Sequence, residues 1–182
     1  MSGTARTNNG IDGTPGYYSY LITHKDSGIT SLDQVLKNGK DMTFGIGDPS
    51  STSGTLVPTY YVFTLNNLDP KTHFKVMRSA NHEANFLAIV NKQVDVATSN
   101  SEMTEKMKEK SPEKLEQIRI LWTSPLIPSD PLVWRKDLPS DLKKKIQDFA
   151  VAYGKDDREK EILKNLYRLK GFKASTDAQL LP

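Results

Sequence analysis

Apolar and polar positions along the chain switch repeatedly between the two-residue period of a strand and the i, i+4, i+7 spacing of a helix. Residues 17–23 (YYSYLIT) are rich in β-formers and predict a strand. The turn Asp26-Ser27-Gly28 follows, then a short helix with Ser31 as its N-cap, closed by Gly39. Residues 42–47 (MTFGIG) predict a buried strand. Beyond it Leu56, Tyr60 and Phe63 recur at i, i+4 and i+7 and predict a helix with one inward face, bent or delayed by Pro58. Residues 74–78 predict a strand, 81–90 a helix with Ala84, Leu87 and Ala88 on one stripe, and 94–98 (VDVAT) are another short apolar run. Helical segments at 102–110 and 112–117 precede a strand at 118–123, a Pro-rich passage at 124–131 and a short strand at 132–135. Two helices finish the pattern. The first is capped by Ser140, carries Leu142, Ile146, Phe149 and Tyr153 on one face and stops at Gly154; the second spans 156–169. Its acids come early and its bases late, as the helix dipole favours.

Strands and helices alternating at these lengths predict an α/β fold with a mostly parallel sheet, wound right-handedly. Ligands of such sheets sit beyond the strand C-terminal ends. Residues 1–16, punctuated by Gly3, Gly10, Gly13, Pro15 and Gly16, read as a flexible lead-in. The length of 182 residues allows one domain or two small lobes. An apolar share of 36% beside 26% charged residues predicts a chain that buries a core. The net charge of +3, spread among acids, is too small a surplus to predict a nucleic-acid partner. No run approaches the ~20 apolar residues of a membrane span. The opening MSGTARTNNG lacks the apolar stretch of a secretory signal, so a signal peptide is expected to be absent from this chain. The absence of cysteine excludes disulfides, thiolate metal sites and cysteine nucleophiles.

The segment GIGDPSSTSG, residues 45–54, joins a strand end to a Gly-Asp-Pro turn, three hydroxyl residues and a helix start. Free amides of a first turn and the positive end of the dipole favour an oxyanion, and Ser51, Thr52 and Ser53 add hydroxyls. Asp48 is the only charge between Thr43 and Leu68, so such a site holds its anion with neutral dipoles. Ser51 or Thr52 acting as an ordinary helix cap is an equally good reading of the hydroxyls alone. Gly54 permits close approach of a ligand or of backbone. Enzyme templates do not fit: GIGDPS is not GxGxxG, no P-loop lysine follows, and no GxSxG elbow occurs. His24, His73 and His82 lack metal-ligand spacing, so no metal and no cofactor are expected. His82 opens a helix after Asn81 and reads as a ligand contact or as a surface histidine. Glu102 follows VDVAT within SNSE, where it is a strand-end ligand or a favourable first-turn acid. Asp130, between Ser129 and Pro131, has the ordinary reading of a turn residue.

Four segments together, PGYYSYLITHKDS, DMTFGIGDPSSTSGTLVPTYYVF, NHEANFLAIVNKQVDVATSNSE and SPLIPSDPLVWRK, closely resemble the substrate-binding protein of bacterial phosphonate ABC importers. The resemblance runs from about Gly13 to Leu181. It implies a type II periplasmic binding-protein fold, a non-catalytic function and a periplasmic or extracytoplasmic location for the full-length form. It implies a phosphonate on Ser51, Thr52 and Ser53 with His82 as a further donor, and, for a 2-aminoethylphosphonate-like ligand, Glu102 and Asp130 receiving the ammonium. It also implies a membrane permease as partner. By this comparison residues 24–123 are one complete lobe, and 17–23 and 124–182 are hinge strands and part of the second. The tyrosines that the family's first lobe adds to the pocket have no counterpart, so a half-site binding phosphonates weakly is expected, with possible homodimerisation through surfaces left uncovered. The alternatives are the same fold reading phosphite, phosphate or a sulfonate, and an effector-sensing domain of a transcription regulator, though no helix-turn-helix is present.

Overall fold

The computed structural model describes residues 3–6, 16–167 and 170–175. In chain order these form β1 (Gly3–Arg6), β2 (Ser19–His24), α1 (Leu32–Asn38), β3 (Thr43–Ile46), α2 (Pro70–His73), β4 (Val76–Ser79), α3 (His82–Val90) and β5 (Val96–Asn100). They continue with α4 (Ser101–Lys110), α5 (Pro112–Leu115), β6 (Ile118–Thr123), β7 (Pro131–Leu132), α6 (Ser140–Ala152), α7 (Asp157–Tyr167) and β8 (Phe172–Ser175). The chain divides into two compact units, Tyr18–Ile127 and Met1–Tyr17 with Pro128–Pro182.

The Tyr18–Ile127 unit is built on a five-stranded sheet of order β4-β3-β5-β2-β6. β3 pairs in parallel with β4 and with β5, whereas β2 pairs antiparallel with both β5 and β6. Four strands therefore share one direction, as the alternating pattern predicts, and β2 alone opposes them. The unit reaches further than the expected lobe of 24–123, because β2, expected as a hinge segment, is pinned between two strands and fully buried. Alternation along β2 splits the core. Leu21 faces Phe44, Ile46, Val62, Phe63, Phe74 and Val96, while Tyr20 and Ile22 face Phe86, Ile89, Ala97 and Ile118 on the other side. Phe44 stacks on Phe74 at 4.3 Å and meets Phe63 edge-on at 5.5 Å. Phe44, Phe63 and Phe86 are fully buried together with the aliphatic residues Leu21, Ile22, Val35, Val62, Ile89 and Val96.

Local chemistry accounts for the helix ends. Ser31 caps α1 in a full capping box with Gln34, as its position predicts. Gly39 does not close that helix through a left-handed turn; its φ is −53°, and the chain runs on into a short tight turn. Glycine is needed there because a Cβ would lie 2.2 Å from His73 Nε2. The largest departure follows β3. Residues Thr52–Leu56 and Thr59–Phe63 wind as two π-helical turns with Pro58 between them. Leu56 and Tyr60, expected inside, are 65% and 50% exposed, and Val62 joins Phe63 in the core. Wider winding around a proline that has no N–H rotates the inward face away from the α-helical register. In α3 the buried residues are Asn85, Phe86 and Ile89; of the expected stripe Leu87 and Ala88 are half-buried against the same cluster, and Ala84 is exposed.

The other unit carries an antiparallel sheet of order β7-β1-β8, with α6 packed on β1 and β8. Residues 3–6 of the expected flexible lead-in thus form a paired strand; residues 7–15 lie outside the described residues, as do 168 and 169 of the last expected helix. Ser140 is the first residue of α6 rather than its cap, and Pro139 before it makes no side-chain cap bond. Leu142 and Phe149, expected inside, are exposed, and Ala150 is the buried residue of α6. Gly154 takes the left-handed φ of +96° just past the helix end, as predicted for a stop.

Candidate functional site

The three co-directional strands β3, β4 and β5 end at one edge of the sheet, and the turns that leave them carry the predicted residues. Beyond β3 lies the Asp48–Ser53 turn; beyond β4, Ala80 and Asn81 lead into His82; beyond β5, α4 begins with Glu102 in its first turn. This is the edge at which parallel sheets present loops and helix N-termini to ligands.

The first turn is fixed from within. Asp48 accepts hydrogen bonds from the amide and the hydroxyl of Ser50, which hold its carboxyl below the ordinary range. Ser51 Oγ accepts from the Gly54 amide at 3.0 Å, the capping role that its position alone allows. The Gly47 amide donates to the Gly54 carbonyl at 2.9 Å, and a Cβ on Gly47 would stand 2.5 Å from Gly54 Cα. The glycine pair therefore lets backbone approach backbone and locks the turn. Among the described residues no acceptor is bonded to the amides of Thr52 or Ser53. Thr52 is exposed, and Ser53 is buried.

Ser53 is the meeting point. Its hydroxyl lies 3.0 Å from His82 Nε2 and accepts from Asn100 Nδ2 at 3.4 Å, while its carbonyl accepts from Ser19 Oγ at 2.6 Å. Ser19 and Asn100 are register partners on β2 and β5 and share the sheet face of Leu21 and Val96. His82 is carried by α3, which Asn81 caps through the Ala84 amide at 2.8 Å and which Asn85 ties to β3 through the Ile46 carbonyl at 3.1 Å. Burial pushes the His82 pKa down, and the Thr98 backbone works against that shift. The ring's Nδ1 is buried and makes no hydrogen bond of good geometry among the described residues. The buried hydroxyls of Thr98 and Ser99 likewise lack a hydrogen-bond partner among the described residues. The second turn is anchored to the third by Glu83, which Lys106 of α4 meets at 2.9 Å and holds below the ordinary carboxylate pKa.

Of the residues singled out in sequence, Ser51, Ser53 and His82 are brought to one place, with Thr52 between the two serines. Glu102 is exposed in the first turn of α4, and Asp130 belongs to the other compact unit. Ser19, Asn85 and Asn100 take part without having been singled out. Asn100 announced itself only as a cap residue before SE; Ser19 and Asn85 gave no local signal. No group of histidine, aspartate and glutamate among the described residues is placed to hold a metal. The site offers neutral donors, two amides, hydroxyls and an imidazole, to a small oxyanion.

The family described as "ABC transporter, phosphonate, periplasmic substrate-binding protein" matches residues 4–180. The "Phosphonates-binding periplasmic protein" of Escherichia coli (strain K12) is 53% identical over 171 residues, covering 94% of this chain and 50% of that protein. A "Probable ABC transporter phosphite binding protein PhnD1" of Prochlorococcus marinus (strain MIT 9301) is 25% identical over 115 residues, covering 60% of this chain and 38% of its own. A solved binding-protein component of an ABC phosphonate transporter from Pseudomonas aeruginosa superposes with a TM-score of 0.88 at 50% identity, covering 100% of this chain and 59% of that one. The chain thus spans about half the length of the E. coli relative.

Proposed function

Given that the chain belongs to the periplasmic substrate-binding family of phosphonate ABC transporters, whose members bind solutes for transport and are not enzymes, we propose that its Tyr18–Ile127 unit grips a phosphonate headgroup. The observation that carries this reading is Ser53, whose hydroxyl meets His82 Nε2 at 3.0 Å on a turn where the amides of Thr52 and Ser53 bond no acceptor among the described residues. A tetrahedral headgroup takes those amides and the hydroxyls of Ser51, Thr52 and Ser53, with His82 as a further donor. A neutral donor set suits reversible capture, since no lysine or arginine holds the anion against release. Glu102 receives the ammonium of a 2-aminoethylphosphonate-like ligand, so that the site selects a zwitterion. The protein then delivers its ligand to the membrane permease of an ABC importer from the periplasm.

Chemical-shift titration of the 182-residue chain with 2-aminoethylphosphonate, methylphosphonate, phosphite, phosphate and a sulfonate tests the reading, because it registers weak binding. The expected result is preference for 2-aminoethylphosphonate, with shifts at Thr52, Ser53 and His82, weakened at least about tenfold by Ser53→Ala. Equal response to phosphate, or shifts elsewhere, would refute it. Self-association is part of the same reading, since Leu132, Val133, Leu142 and Phe149 leave apolar surface exposed on the other unit. Light scattering at rising concentration is expected to show dimers, and a constant monomer mass would exclude them.

A further inference from the structure

We infer that Asn100 is a positioning residue: one amide ties the anion-binding hydroxyl of Ser53 to the helix turn that carries Glu102, and so sets the ligand length the site accepts. The inference rests on the phosphonate reading of Ser53 and Glu102 given above.

Asn100 ends β5 and is only 6% exposed. Its Oδ1 accepts from the Met103 amide at 2.8 Å. An amide N–H can only donate, so this bond settles which way the carboxamide points, and Nδ2 faces Ser53 Oγ at 3.4 Å. The two arms of one planar group therefore reach two different elements, the β3 turn and the start of α4. Glu102 lies two residues past Asn100, in the turn that this cap organises.

Both ends are otherwise well anchored. The Ser53 backbone is held by Ser19 Oγ, and the α4 start is held by Ser101, whose hydroxyl accepts from the Tyr18 amide at 3.0 Å and whose own amide donates to the Tyr18 carbonyl at 2.9 Å. Among the described residues, Asn100 supplies the link between the hydroxyl and the helix. A ligand with an anionic head on Ser53 and a cationic tail at Glu102 reads that link as a fixed spacing. A ligand with no tail reads only the hydroxyl.

Asn100→Ser separates the two functions, because serine is as good a cap but too short to reach Ser53. Affinities of the parent chain and of this variant for 2-aminoethylphosphonate and methylphosphonate are compared by titration, beside their thermal midpoints. The expected result is a midpoint lowered only by the loss of one hydrogen bond, an affinity for 2-aminoethylphosphonate lower by about tenfold and a clearly smaller loss for methylphosphonate. A merely structural role would weaken both ligands by one factor, and that equal loss, or no loss, overturns the inference while leaving the phosphonate reading intact. A parent chain that does not prefer the aminated ligand overturns both. A double-mutant cycle of Asn100→Ser with Ser53→Ala in thermal unfolding, without ligand, checks the tie by itself: additive effects refute it.

Discussion

His82 shows how one side chain's surroundings set its chemistry. A histidine in the first turn of an exposed helix titrates near its ordinary value of about 6.5. Here burial disfavours the imidazolium, so the folded chain protonates this ring at lower pH than the unfolded chain does. The unfolded state then binds more protons in that window, so stability rises with pH there and drops as the solution is acidified. The contribution is complete above about pH 6.5 and is lost as pH drops through the lower folded value. Thermal midpoints of the parent chain and of His82→Gln, measured at pH 7 and pH 5, are expected to show a smaller acid-induced loss in the variant; equal losses would exclude His82 as a source of the slope. An oxyanion beside Nε2 acts in the opposite sense and favours the imidazolium, so the histidine that is neutral in the empty site becomes a stronger donor once the site is filled.

At the scale of the element, α3 is placed by two asparagines with different energetics. Asn81 caps the helix at an exposed position, where replacement by alanine costs about 1 kcal/mol. Asn85 is 2% exposed and donates to the Ile46 carbonyl at 3.1 Å, an acceptor that the Ala80 amide also reaches at 3.0 Å, so alanine there loses a buried hydrogen bond and leaves a void beside Gly45, for about 1–3 kcal/mol. Chemical denaturation of Asn81→Ala and Asn85→Ala is expected to rank Asn85 as the costlier loss; the reverse order would show that the cap, not the tie to β3, seats the helix. The same strand explains Gly45, where a Cβ would stand 2.8 Å from Asn85 Oδ1. The exposed Glu83–Lys106 pair adds little to stability and serves to orient α3 against α4.

At the scale of the whole molecule, the Tyr18–Ile127 unit holds every member of both apolar clusters, and β2, β5 and β6 close its sheet without the other unit. A fragment of residues 18–127 is therefore expected to fold by itself, with a cooperative thermal transition and the near-ultraviolet signature of packed aromatic rings. A fragment with secondary structure but no such signature would show that the core needs the rest of the chain. Phe44→Ala in that fragment removes the ring that meets both Phe63 and Phe74, and a loss of about 3–5 kcal/mol is expected.

What the sequence determined by itself is whatever depends on neighbours along the chain. The alternation of strands and helices, the Ser31 cap, the Gly154 stop and the hydroxyl-rich turn after β3 follow from local backbone chemistry, and the ordered similarity of four segments pointed to the family. Tertiary structure decided the rest. That β2 runs against its neighbours and lies inside the sheet depends on pairing with residues far away in sequence, which no period encodes. The π-helical winding that exposes Leu56 and Tyr60 is selected by packing around Pro58 and Val62 rather than by propensity. Ser19 and Asn100 joined the site because two strands place them in register beneath Ser53, and a hydrogen bond between residues 47 positions apart leaves no trace in either local sequence.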